Sequence, residues 1–324
     1  MNPNPTHQPN HFLPANGSRR SALNTLSRTA LAGSALAAAG WPLLSRAAPA
    51  AVQSHSGALG NTAPRLITVG GGVTEVVFAL GAQDQLVATD TTSSYPSAAL
   101  ATAKVGYMRQ LSAGGVLALR PSVLVASTDA GPPVVLDQLR SAGVKVKLVE
   151  SDHSWEEVRR KVAAVGRATG RLQQAAALQA ELDARWAAVR QRVLEQTSAK
   201  PPRVLFVLSH SGAPLVSGEA TAAHAMIGFA GARNAMEGFK GYRPMTAEAM
   251  ATAAPDLILM TSEGLTAVGG AEKFWQRPEL ALTPAYRRRA QAQTLLHFGA
   301  LALLGFGPRL PQVVQRLHQM VVGA

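Results

Sequence analysis

Gly106-Tyr107-Met108-Arg109 sets a phenol and a guanidinium two residues apart behind a glycine, in a chain of 324 residues with only four tyrosines. If the backbone there is extended, side chains at i and i+2 fall on one side, and a neighbouring cation favours the ionised form of a phenol. Phenolate is a hard anionic ligand, and tyrosine is among the axial ligands of haem iron. The same arginine could instead hold a carboxylate, and Tyr107 could be an amphipathic lid over a site without metal. Ser209-His210-Ser211-Gly212 is a second candidate: it invites a hydrolase reading, but the chain has no G-x-S-x-G elbow, and an adjacent serine and histidine do not make a triad by themselves. His210 is then either a satisfied loop residue or a ligand at a cleft edge. Gly70-Gly71-Gly72 could open a phosphate-binding helix. The dinucleotide pattern, however, needs glycine at 75, where the chain has Glu75, an acid that repels pyrophosphate. Those glycines read better as close packing of strand on helix.

The elements that must position these residues alternate. Arg65–Val69 reads as a strand, Val73, Val76, Val77 and Leu80 as a helix closed by Gly81, and Gln85–Thr89 as a strand. After a polar turn through Ser94-Tyr95-Pro96, with the Tyr95 ring packed on its lobe, come a short helix over 113–119, a proline-led strand over 121–126, a helix over 134–142 and a strand over 144–149. From about 154 to 195 the apolar spacing turns helical, broken near Gly170 and stopped by Pro201-Pro202. Pro202–Leu208 then echoes Pro64–Val69, and Ala254–Met260 echoes Leu119–Ala126, each strand of the first pair running into a Gly/Ser loop and a helix. The expected fold class is α/β: two similar lobes with mostly parallel sheets, joined by a long rigid helix, with a ligand cleft between the lobes. The expected divisions are an export segment over 1–50, a linker over 51–63, a first lobe over 64–153, connecting helices over 154–200 and a second lobe over 201–324.

The first 50 residues carry Arg19, Arg20, Arg28 and Arg46 and no acid. A polar lead, an Ala/Leu-rich run from about 29 to 44 and small residues over 45–51 have the order of a signal peptide, with cleavage near 47–51 and release into the periplasm. Paired arginines point to the twin-arginine route, with an ordinary Sec signal as the alternative. No later segment offers about 18 uninterrupted apolar residues for a membrane span. No cysteine is present, which removes disulfides and thiolate metal sites. Beyond residue 50 the chain has 27 basic and 19 acidic residues, a surplus that favours an anionic ligand. The bases are scattered, with one tight run at Arg287-Arg288-Arg289, and this argues against nucleic acid.

Val105–Pro121 (V-G-Y-M-R-Q-L-S-A-G-G-V-L-A-L-R-P), Asp129–Pro133 (D-A-G-P-P), the G-G-G-V-T-E opening, Ala230–Asn234 (A-G-A-R-N) and Leu303–Arg309 (L-L-G-F-G-P-R) together resemble the periplasmic haem-binding proteins of bacterial haem ABC importers, from about Pro64 onward. The resemblance implies ferric haem b held between the lobes as transported cargo and handed to a membrane permease, by a monomer that performs no catalysis and binds no nucleic acid. It implies Tyr107 as axial ligand, Arg109 as its hydrogen-bond partner, Met108 in the apolar wall, and His210 as a second ligand or the ligand of a second haem. It also implies an acid on each lobe for permease docking: Glu75 on the first and, because His224 stands where an acid is expected, Glu219 as the second-lobe substitute. Some members carry an arginine near Thr261–Gly264, where this chain has Ser262-Glu263. A ferric siderophore or a corrinoid in the same fold, an exported hydrolase using Ser209 or Ser211, and a fragment without ligand are the competing readings.

Overall fold

The computed structural model describes residues 63–324 apart from 211 and 212; the expected export segment therefore lies outside the described residues. The first half runs β1 (Leu66–Val69), α1 (Gly71–Ala79), β2 (Leu86–Thr89), β3 (Ala103–Lys104), α2 (Ala113–Leu117), β4 (Val123–Ser127), α3 (Pro133–Ser141) and β5 (Lys145–Val149). Its sheet is wholly parallel, in the order β3-β2-β1-β4-β5. β1 and β4 are buried along their length, as the continuous apolar runs of a parallel sheet covered on both faces require.

Two helices follow, α4 (Trp155–Thr169) and α5 (Leu172–Gln196). Ser154 caps α4 through the Glu157 amide, and the 25-residue α5 ends ahead of Pro201-Pro202.

The second half comprises β6 (Arg203–Leu208), β7 (Leu215–Ser217), α6 (Ala222–Phe229), β8 (Arg233–Asn234), β9 (Tyr242–Pro244), α7 (Ala247–Ala253), β10 (Leu257–Thr261), α8 (Ser262–Ala267), α9 (Gly270–Trp275), α10 (Pro284–Arg288), β11 (Leu295–Phe298), α11 (Ala300–Leu304) and α12 (Leu310–Val322). Its sheet is mixed, in the order β11-β10-β6-β7-β9 with β8 beside β6. β6, β10 and β11 are parallel and match β1, β4 and β5, but β7 runs antiparallel to β6 and to β9. The expected repeat is thus kept on one side of the sheet only. The Ser/Gly loop after β6 turns a hairpin before the chain reaches α6, and does not lead straight into a helix.

More than one helix joins the lobes. A single apolar cluster runs from β1 and α1 through α4 and α5 to β6, α6 and α12, while separate smaller clusters fill the outer face of each sheet. Trp155 and Trp186 stack across α4 and α5, with centroids 4.9 Å apart. α1 also packs directly on the turn between α11 and α12. A Cβ on Gly72 would collide with the Gly305 carbonyl oxygen, and one on Gly71 with Leu301. The three-glycine run therefore serves close approach, as expected: Gly70 lies against Ser127 at the end of β4, while Gly71 and Gly72 meet the C-terminal segment around Leu301 and Gly305.

Candidate functional site

Tyr107 lies on the loop between β3 and α2, at the carboxyl edge of the first sheet, where open α/β sheets place their ligands. The loop is fastened on two sides. Thr91 donates its amide to the Gly106 carbonyl and Val105 donates to Thr89. On the other flank the Gly131 amide donates to the Met108 carbonyl and the Leu111 amide to the Gly131 carbonyl, each at 2.9 Å. The Asp129–Pro133 segment is thus the brace of the tyrosine loop. Gly106, at φ +94°, gives the backbone a left-handed step just before the ring. Tyr107 remains 41% exposed. Met108 is half-buried against the outer cluster of its lobe, and its methyl group lies about 4.0 Å from where a Cβ on Gly70 would be.

Arg109 Nη1 donates to the Tyr107 hydroxyl at 2.9 Å, and Nη2 lies 3.5 Å from Asp129 Oδ2. Burial works against the Arg109 cation, but the bond to Tyr107 and the charges of Tyr107, Asp129 and Tyr242 outweigh it and lift its pKa. Tyr242, at the start of β9, answers from the second lobe: burial raises its pKa and the Arg109 charge partly offsets that. The guanidinium thus contacts a phenol and a carboxylate of its own lobe, and its charge reaches the Tyr242 phenol of the second. Such a group can hold a hard cation through oxygen and an anionic ligand edge through nitrogen.

A family model described as periplasmic binding protein matches residues 66–290. The chain belongs to the periplasmic binding protein family. Within that fold, the structure of the periplasmic haem-binding protein BhuT in complex with two haems is 46% identical, with a TM-score of 0.76 over 80% of this chain and 98% of that one. The periplasmic haem-binding protein RhuT from Roseiflexus sp. RS-1, in apo form, is 33% identical, with a TM-score of 0.75 over 80% and 98%. Among curated relatives, an uncharacterised ABC transporter substrate-binding lipoprotein of Bacillus subtilis is 26% identical over 60% of this chain and 62% of its own length. A cobalamin-binding protein of Halobacterium salinarum is 29% identical over 60% of this chain and 53% of its own. The chain therefore spans about half to three-fifths of these curated relatives.

In this periplasmic binding protein, several residues singled out in the sequence lie apart from the Tyr107 loop. Glu75, the acid expected for docking on the first lobe, is only 5% exposed, and Arg309 grips its carboxylate at 2.9 and 2.6 Å. Arg309 also lies 3.7 Å over the Tyr95 ring, which stays 46% exposed instead of packing into its lobe. Glu219 is half-exposed and accepts the Gly238 amide at 3.1 Å, while His224 faces Asn234 at 3.2 Å. His210 is exposed just past the end of β6, beside the undescribed 211 and 212, and Ser209 is 7% exposed. Two surface depressions, about 430 Å³ beside Arg316 and Met320 and about 280 Å³ between α5 and α12, are lined by none of these residues.

Asp129 and Tyr242 were not singled out as site residues by sequence reasoning. Asp129 stood inside a motif with no role attached. Tyr242 had a usable signal: like Tyr107 it follows a glycine with positive φ, Gly241 at +79°.

Proposed function

We propose that this protein captures ferric haem in the interlobe cleft and delivers it to an ABC-type permease, with the Tyr107 oxygen as axial ligand. The observation that carries this reading is the Arg109 hydrogen bond to an exposed tyrosine hydroxyl, which holds that oxygen toward solvent and supplies the positive charge an iron-bound phenolate needs beside it. Met108 contributes apolar wall, and Arg109, shared with Tyr242, offers charge to a propionate. The likeness to BhuT and RhuT, both periplasmic haem-binding proteins, supports the same ligand class. Phenolate ligation disfavours reduction of ferric iron, which suits carriage better than turnover. Export through the segment over 1–50, action as a monomer, and docking through Glu219 belong to the same proposal.

Hemin titration followed by absorbance tests it. Wild type should give a Soret band that Tyr107→Ala weakens by at least tenfold in affinity, and His210→Ala should weaken it less. A wild type that takes up cyanocobalamin and no hemin would favour the corrinoid reading, which the cobalamin-binding relative supports.

A further inference from the structure

The arginine run at 287–289 has no part in the Tyr107 site, and the fold gives it company. α10 lies at the amino edge of the second sheet, where the Ala285 amide donates to the Pro255 carbonyl at 2.9 Å just ahead of β10. Arg288 donates to the Asp256 carbonyl at 3.1 Å, and the amide of Arg203, at the head of β6, donates to the Asp256 carboxylate at 2.9 Å. Arg233 heads β8 level with Arg203, and its amide donates to the Pro202 carbonyl at 3.0 Å, two residues past the exposed Lys200. Six cations drawn from distant parts of the chain thus share one edge with two acids, Asp256 and the Glu237 that pairs with Arg233. Arg287 and Arg289 are exposed and have no carboxylate partner among the described residues.

The opposite edge is built differently. The segments that leave β6, β10 and β11 there, over 209–214, 262–264 and 299–308, contain no lysine or arginine and one acid, Glu263. That edge meets the first lobe, where Leu301 packs against Gly71. The cations at the strand starts therefore face away from the first lobe.

Apolar groups accompany the charge. Leu282, just before the Thr283 cap of α10, is 70% exposed, more than any other large apolar side chain among the described residues. The Arg289 guanidinium lies 3.6 Å over the Tyr286 ring, and Trp275 stands edge-on to that ring with centroids 6.1 Å apart. Guanidinium on aromatic rings beside an exposed leucine is the chemistry of a surface that meets lipid headgroups: the cations pair with phosphate while rings and leucine reach the acyl boundary. The cations come from separate segments and line neither surface depression, which suits a broad charged surface better than a small anion.

We propose that the amino edge of the second sheet, with α10 at its centre, docks on an anionic phospholipid surface and leaves the carboxyl edge uncovered. The proposal is independent of the haem reading, and its test contains no hemin.

Co-sedimentation of the full chain with vesicles decides it. The chain should pellet with phosphatidylcholine vesicles containing about a third phosphatidylglycerol and stay free of pure phosphatidylcholine. Raising sodium chloride about tenfold should release most of it, while added inorganic phosphate at matched ionic strength should not displace it further. Arg287→Glu combined with Arg289→Glu should lower the bound fraction by about tenfold or more. Arg185→Glu combined with Arg192→Glu, the same charge change on α5, should lower it by no more than about threefold. Leu282→Ser, with no change of charge, should lower it by about threefold. Binding to uncharged vesicles, binding that ignores Arg287 and Arg289, or equal losses from the two arginine pairs overturns the proposal. So does a Leu282→Ser variant that binds like wild type, or stronger retention on polyglutamate than on the vesicles, which would assign the face to an acidic protein.

Discussion

The seam between the two sheets is sealed at one end and open at the other. At the sealed end α1 meets the Gly305–Gly307 turn backbone to backbone, Arg309 clasps Glu75, and Lys161, only 4% exposed, donates to Glu157, to Gly305 O at 2.9 Å and to Phe306 O at 3.1 Å. At the open end Tyr107, Arg109 and Asp129 form a chain of contacts of which every member is substantially exposed. Both ends use an arginine on an oxygen, yet the surroundings give the two arginines different tasks. A charge pair enclosed by backbone fixes where the lobes sit, and one in solvent can exchange its partner for a ligand.

The sharpest break of this contrast is Arg309→Ala. It leaves Glu75 buried without a partner and should cost about 3–5 kcal/mol of stability, while Glu75→Gln, which removes the charge and keeps the shape, should cost far less. Thermal or denaturant unfolding of both variants checks this; equal losses would mean that the clasp acts through packing alone. Gly72→Ala should follow at about 3 kcal/mol, the upper range for overpacking, because the obstacle is a carbonyl held by Lys161 and not a movable side chain. Gly106→Ala at the open end meets nothing closer than the Gln110 carbonyl at 3.8 Å, so only its left-handed φ resists, at about 1–2 kcal/mol.

The same contrast separates what the sequence reveals from what it hides. Apolar runs and proline or glycine stops located β1, β4, α4 and α5 within a residue or two, because their burial is continuous and their ends are local events. The Tyr107–Arg109 pair was legible because both partners lie within three residues of each other. The hairpin of β7 and β9 was not, since three-residue strands have no periodicity to read. Nor were the contacts Glu75–Arg309 and Ser262–His297, which join residues 234 and 35 positions apart: no spacing rule reaches across a fold. Glu75 shows the consequence, because as a letter in a helix it looks like a surface acid, and only the returning C-terminal turn buries it.

Acidity gives a smaller test of the sealed end. Burial pushes the Glu75 carboxyl above the ordinary 4.5, and its bond to Arg309 and the nearby Lys161 only partly offset this. The folded state therefore holds this proton more tightly than the unfolded chain does. Its contribution to stability is complete below about 4.5 and is lost as pH rises through the folded value. Asp152 and Asp183 slope the other way. Burial opposes their charge, but hydrogen bonds from Ser154 and Arg160, and from Trp155 and Arg159, win and lower both below 3.8, so their share is lost only in more acid solution. The melting temperature of wild type minus that of Glu75→Gln should accordingly fall as pH climbs above 4.5, and a flat difference would place the carboxylate in a better-solvated setting than the fold indicates.

The smallest effect belongs to Asp129→Asn at the open end. The side chains of Arg109 and Asp129 are 55% and 40% exposed and 3.5 Å apart, a geometry in which solvent screens the attraction and the pair is worth about 0–1 kcal/mol. The amide keeps the side chain's size, and the Ser127 hydroxyl accepts the Asp129 amide at 3.2 Å whatever the side-chain charge, so the brace under Tyr107 stays in place. Unfolding should be unchanged within about 0.5 kcal/mol. Hemin affinity is the more telling measurement: freed from Asp129, the guanidinium turns wholly to the tyrosine oxygen and the ligand edge, and binding should stay level or tighten by up to about threefold. A tenfold loss would show that Asp129 positions Arg109, and that the open end is as preorganised as the sealed one.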